Sequence, residues 1–353
     1  MEEKAIKAAT VTLLILTVAV CLFMPKFSDI HIWAVERAED QLAEAELAEE
    51  QMEMTDLVMK DTEVTDESEQ RQLRLVLPEG VSGSEVKVEN NYLTQTVRIE
   101  MPDTDMRYFE NDPIAGSSNH IDNLSYRLEN GEGIIEIAMD RVYELDMAYD
   151  ENYYYFDFLT PQEVYDKVVV IDAGHGGRAP GATKKGINEK DIDLAIVLQL
   201  KEIFDNSDEN IGVYYTRTDD SNPTFDQRVQ LANKSDADLF ISIHNNSTRS
   251  GRMSSTCGTQ VMYSESDEGE LTSERFAQIC LDEVTSELGS RNKGLVAGDS
   301  IYIIRTSEVP VALIEVGFMT NQEELERLNT QEYQKQTAEA VYQAIHTAFE
   351  EGY

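Results

Sequence analysis

The sequence predicts an α/β fold over residues 165–353, a mixed, mostly parallel sheet with helices on both faces, preceded by a small all-β domain and an N-terminal transmembrane helix. Three observations predict it. From Lys167 onward, short apolar runs alternate with segments whose apolar residues recur at helical spacing, so strands and helices follow one another. From residue 73 to residue 160 the period is two, the mark of strands with one buried face. A charge-free apolar run from Ala8 to Met24 stands near the N-terminus.

That run is about the shortest that crosses a bilayer as a helix. Lys4 and Lys7 precede it, which holds the N-terminus in the cytoplasm and places everything after Lys26 outside. Residues 1–28 are therefore expected to be a membrane anchor, making the protein a single-pass protein of the cell membrane with its bulk extracytoplasmic. The competing expectation is a cleaved signal peptide and a secreted product, but the run ends without a small-x-small cleavage site. Residues 29–72, rich in Glu, Ala, Gln and Met, favour helix without supplying a core, because Val35, Ala38, Leu42 and Ala45 form a narrow stripe. This segment is expected to be an acidic helical stalk.

Within 73–160, LRLVLP, VKVENNYLTQTVRIEM, LSYRLE, GIIEIAMD and YYYFDF read as strands separated by turn signals such as PEG and ENGEG. Several short strands with half-apolar faces suggest a sandwich, and the segment resembles the AMIN-type β domains that precede some cell-wall amidases. A β module that merely packs on the next domain is the plain alternative. Beyond Lys167, KVVVID, IGVYYTR, DLFISIH, YIIR and PVALIEVG read as strands. DIDLAIVLQLKEIFDN, TFDQRVQLANK, ELTSERFAQICLDEVTSEL and TQEYQKQTAEAVYQAIHTAFEE read as helices.

Composition narrows the function. The 353-residue chain is 41% hydrophobic, enough to bury a core, and its net charge of −39 excludes nucleic acid as a partner, since such binding relies on clustered Lys and Arg. Three cysteines are too few for a disulfide framework; Cys257 and Cys280 form the one pair that could bridge.

The chemistry sits at strand ends. His175 in VVVIDAGHGG and His244 in LFISIHNN each follow a buried strand, and strand ends are where sites gather in such folds. Glu189 opens a helix in GINEKDIDLAI, where an acid alone can simply favour the helix N-terminus. Together, two imidazoles and a carboxylate match the donor set of catalytic zinc, although the spacing is not HExxH and the three must converge from separate elements. Glu315 interrupts the apolar run PVALIEVG; it is either a structural acid paired with Arg305 or Arg217, or a general base. His31, His120 and His346 carry surface or packing roles.

IDAGHGG, GINEKD, ISIHNN and VALIEVGFMTN, in that order, resemble the zinc-dependent N-acetylmuramoyl-L-alanine amidases of the type 3 (amidase_3) family. The resemblance implies Zn2+ on His175, Glu189 and His244, with Glu315 as catalytic acid. It implies peptidoglycan as substrate, cut at the amide between the lactyl group of N-acetylmuramic acid and L-alanine. On this expectation zinc lowers the pKa of bound water to about 7 and polarises the carbonyl while Glu315 shuttles the proton. Asn246 and Arg305 are candidates for holding substrate. Two departures from the family pattern stand beside the ligands: Ala173 where proline is common, and Asn245 where a small residue is common. Two alternatives stay open, a zinc peptidase acting on free peptides and a silent wall-binding scaffold. A regulatory protein partner or an occluding segment is a further expectation, with Ser264 to Glu270 and the helix after it as the candidate lid.

Overall fold

The computed structural model describes residues 37–44, 55, 56, 60, 61 and 71–353, apart from 106, 118 and 268. The expected membrane anchor at 1–28 and most of the expected stalk lie outside these residues. Among the described residues, no helix is long and apolar enough to cross a membrane.

The described pieces of the stalk are packed, where the sequence suggests a solvated spacer. Residues 37–44 form helix α1, which buries Ala43. Strand β1 (Thr55–Asp56) pairs antiparallel with Tyr126 and Ser125, and β2 (Lys60–Asp61) pairs in parallel with Ala115 and Gly116. Extended edges with open N–H and C=O groups recruit such short additions, an effect that side-chain periodicity does not register.

Ten strands make two five-stranded sheets: β1, β2, β3 (Leu73–Val76), β4 (Lys87–Asn91), β5 (Thr96–Met101), β6 (Ala115–Gly116), β7 (Ile121–Glu129), β8 (Glu132–Met139), β9 (Glu144–Tyr149) and β10 (Tyr153–Leu159). Their orders are β1-β7-β8-β5-β4 and β2-β6-β3-β10-β9. Val97, Ile99, Leu124, Ile135 and Ile137 of one sheet share a core with Leu73, Leu75, Phe156 and Phe158 of the other. Along β3, β5 and β10 buried residues alternate with half-buried ones, which is what sends these side chains inward.

The second sheet system is α/β. β11 (Lys167–Ala173), β14 (Ile211–Tyr215), β15 (Leu239–Asn246), β16 (Thr259–Tyr263), β17 (Asn292–Ala297) and β18 (Val311–Phe318) take the order β14-β11-β15-β18-β16-β17. The first four run parallel; β16 is antiparallel to β18 and parallel to β17. A two-stranded ribbon, β12 (Thr183–Lys184) and β13 (Ile187–Asn188), leads into the first long helix. Val169, Ile171 and Ala173 face a core shared with α4 (Glu189–Asp205), α6 (Ser273–Leu288) and α9 (Gln331–Glu350). Val168 and Val170 face the opposite core, shared with α5 (Phe225–Lys234) and α7 (Tyr302–Arg305). The remaining helices are α2 (Tyr108–Asn111), α3 (Pro161–Val164) and α8 (Gln322–Leu328).

Two expectations change, and a question the sequence left open is answered. YIIR is helix α7 and not a strand: Ile303 and Ile304 are buried, and a four-residue apolar run does not distinguish a buried strand from a helical turn. The candidate lid helix is α6, a core helix with Phe276, Ala277, Cys280, Leu281 and Val284 buried, and Asp267 of the acidic stretch before it accepts the Ser273 backbone N–H at 2.7 Å. Cys257 and Cys280 are both free.

The β sandwich is docked on the α5 face of the second sheet. Val142 is 1% exposed within the α5 core, and Glu144 accepts from Tyr92 Oη at 2.8 Å and from Tyr214 Oη at 2.6 Å.

Candidate metal and active site

The sheet delivers three of the four expected residues to one edge. His175 follows β11, His244 lies in β15, and Glu315 in β18 is the register partner of His244. Glu189 comes from α4. The buried stripe of that helix is Glu189, Ile192, Asp193, Ile196, Val197, Leu200 and Phe204, so the face that packs on the sheet begins with two acids at the end nearest the strand tips.

One oxygen ties the group together. Glu189 Oε1 lies 3.1 Å from His175 Nε2 and 3.2 Å from His244 Nδ1, and it accepts the Asn245 backbone N–H at 3.1 Å. Glu189 Oε2 accepts the Ala182 N–H at 2.7 Å. The two imidazole rings stand nearly perpendicular with centroids 4.8 Å apart. Gly174 permits this approach, because a Cβ there would come within 2.4 Å of His244 Cε1. One donor atom from each of His175, Glu189, Asp193 and His244 lies within 4.8 Å of all the others. Two imidazoles and buried carboxylates with unsatisfied capacity are what a divalent metal requires, and Asp193 Oδ2 is buried without a partner. The residues fit a metal ion.

The His175 loop is gripped by two buried arginines. His175 has φ +58, a conformation that costs a non-glycine residue about 1–3 kcal/mol and needs support. Arg228 donates to the carbonyls of Ala173 at 2.7 Å and His175 at 2.6 Å; Arg217 donates to those of Ala173 at 3.0 Å and Gly174 at 2.6 Å. Arg228 also pairs with Asp172 at 2.5 Å, and Asp172 accepts from Thr216 and Ser242 at 2.6 Å each. Burial pushes the Asp172 carboxyl up, but Arg228 and the two hydroxyls outweigh it and hold it down at about 2.

The charges are opposed across the site. Burial raises Glu189, yet His175 and His244 bring it well below the usual carboxylate range. Burial lowers His175, and Glu189 and Glu39 together carry it well above its ordinary value. Asp193 goes the other way, raised by burial and by Glu189, while the Asn245 amide donates to its Oδ1 at 2.7 Å. Glu315 is raised to about 8, first by burial and then by Glu189, and its Oε2 is buried with no partner. Neither arginine named as a structural partner for Glu315 is seen paired with it: Arg217 donates to backbone carbonyls and Arg305 to those of Asp299 and Ser300.

The chain matches the family model described as N-acetylmuramoyl-L-alanine amidase over residues 169–347, half of its length. It belongs to that family. Among its relatives is an uncharacterised Bacillus subtilis protein, YqiI, 35% identical over 54% of this chain and 88% of the relative. The germination-specific N-acetylmuramoyl-L-alanine amidase of the same organism is 30% identical over 52% of this chain and 81% of its own. Among solved structures, the N-acetylmuramoyl-L-alanine amidase of Clostridium difficile 630 has 31% identity and a TM-score of 0.49, covering 53% of this chain and 98% of the other. The protein is thus an enzyme, an amidase of peptidoglycan hydrolysis.

The two substrate candidates of this amidase have local partners. Asn246 ends β15 and its amide reaches Gln260 at 3.4 Å, while Arg305 is exposed and engaged with its own loop. Asp193 and Glu39 were not foreseen. Asp193 had a signal, one helical turn beyond Glu189 on the buried stripe; Glu39 had none, because it arrives from a segment 136 residues upstream of His175.

Proposed function

We propose that this amidase holds zinc on His175, Glu189 and His244 and uses Glu315 to carry the proton in hydrolysis of the amide between the lactyl group and L-alanine. One observation carries this: His175 Nε2 and His244 Nδ1 meet at a single oxygen of Glu189, with the buried, unpartnered Oε2 of Glu315 on the neighbouring strand. Zinc, when bound, supplies Lewis acidity toward water and toward a carbonyl oxygen. Glu315, as the carboxylate, accepts at Oε2 the proton that water loses as it attacks the carbonyl carbon, then returns it to the leaving nitrogen, so that the carboxylate is regenerated and the alanyl peptide departs with a free amine. Burial and Glu189 raise this carboxyl in the metal-free protein, and the charge of a bound divalent metal would favour the carboxylate form that begins the step. Asp172, Arg217 and Arg228 fix the backbone that aims His175. Asn246 and Arg305 remain the candidates for substrate amide and carboxylate.

The working location is the outer face of the cell membrane, with Ala8 to Met24 as the anchor, since the wall lies outside that membrane. Digestion of purified peptidoglycan by the full chain tests the reaction: stems with a new alanine amino group should accumulate, and a chelator should stop their release. Release of peptides cut elsewhere, or activity indifferent to chelator, would remove the assignment.

A further inference from the structure

His175 has a carboxylate at each ring nitrogen. Nε2 faces Glu189 at 3.1 Å, and Nδ1 faces Glu39 Oε1 at 3.2 Å. Glu39 belongs to α1, outside the segment that matches the family model. The helix is seated by two contacts close to the site: Asp40 Oδ1 accepts the backbone N–H of Phe225 at 3.0 Å, satisfying one of the open donors of the α5 N-terminus, and Ala43 is buried. Glu39, Asp40, His175, Pro223, Phe225 and Arg228 enclose only about 10 Å³, too little for more than one water. Glu39 is not among the four residues whose donor atoms cluster within 4.8 Å, so its carboxylate lies behind His175 and not among the ligands.

We propose that Glu39 is a positioning residue for His175: its carboxylate takes the Nδ1 proton in a hydrogen bond and leaves Nε2 as the lone-pair donor facing Glu189. An imidazole can offer a lone pair to a metal from only one nitrogen while the other keeps its proton, and a carboxylate behind the ring fixes both the tautomer and the ring's orientation. Glu189 cannot do this from the metal side. The segment before the catalytic domain thereby supplies part of the metal site, and metal affinity depends on α1. This rests on the proposed metal reading.

The test uses the full chain and measures zinc affinity by competition with a coloured chelator, alongside turnover at saturating zinc. Glu39→Ala should weaken zinc binding about 10- to 100-fold and lower turnover. Glu39→Gln, which keeps an acceptor oxygen but no charge, should lie between the variant and wild type. Glu44→Gln, on the exposed end of α1, should match wild type in both measurements and shows that helix surface changes alone do nothing. Replacement of bound zinc by cobalt(II) gives a second readout, a shifted visible spectrum in Glu39→Ala. Unchanged zinc affinity in Glu39→Ala overturns the inference. Higher turnover in that variant also overturns it, and makes Glu39 an obstruction to substrate instead. Failure of wild type to bind zinc would defeat the metal reading itself, which keeps the two failures apart.

Discussion

The two sides of the site are built on opposite plans. Around His175 everything is held: two buried arginines grip three successive carbonyls, Asp172 anchors one of them, and both ring nitrogens face carboxylates. Around Glu315, one strand away from His244, a buried carboxyl oxygen has no partner. The difference matches the roles proposed for each. A ligand is useful when it cannot move, whereas a proton carrier is useful when neither of its protonation states is locked by a partner.

The largest effect should come from removing the loose side. Glu315→Gln preserves shape and cannot carry a proton, so turnover on peptidoglycan should fall about 10²- to 10⁴-fold while zinc content, measured by metal analysis, stays at the wild-type level. Loss of zinc in that variant would erase the distinction between the two sides. Breaking the held side comes next. Arg228→Ala leaves the carboxylate of Asp172 buried without its ion pair, at a cost of about 3–5 kcal/mol, read as a lower urea midpoint with zinc affinity falling alongside. A smaller change tests the closeness of the rings: the methyl of Gly174→Ala would clash with the His244 ring, for about 1–3 kcal/mol and weakened zinc binding. The gentlest comparison uses pH. In metal-free protein Glu315 keeps its proton up to about 8, whereas its ordinary value is 4.5. Over that window the unfolded chain has released a proton that the folded chain still binds, so wild type should lose stability relative to Glu315→Gln as pH rises from 4.5 to 8, with no further divergence above. Urea titrations of both proteins across this range check the sign.

The residues that meet at the candidate site, His175, Glu189, His244 and Glu315, were legible because each breaks a local rule at an informative place: a histidine at a strand end, acids on an apolar helix face or in an apolar strand. The supports were not. Arg228 looks like an ordinary surface cation until the β11 loop is folded against it, Arg217 reads only as a possible partner of Glu315, and Asn245 shows its use only opposite Asp193. β16 and β17 escaped notice for local reasons. TQVMY alternates weakly, and NKGLVA carries Gly294 at φ +87, which interrupts strand patterning. Glu39 was illegible in principle, since helical spacing in a mostly alanine stripe says nothing about a surface far along the chain.

The docking of the sandwich changes what counts as a separable piece. A fragment trimmed at Lys167 retains the whole family-matched segment, yet it strips Val142 from the core it shares with Val229 and Leu231 and takes Glu144 from the Tyr214 hydroxyl. It also discards α1. Such a fragment uncovers the α5-side residues that Val142, Tyr92 and Leu93 pack against, so what it does in a tube reports in part on the cut.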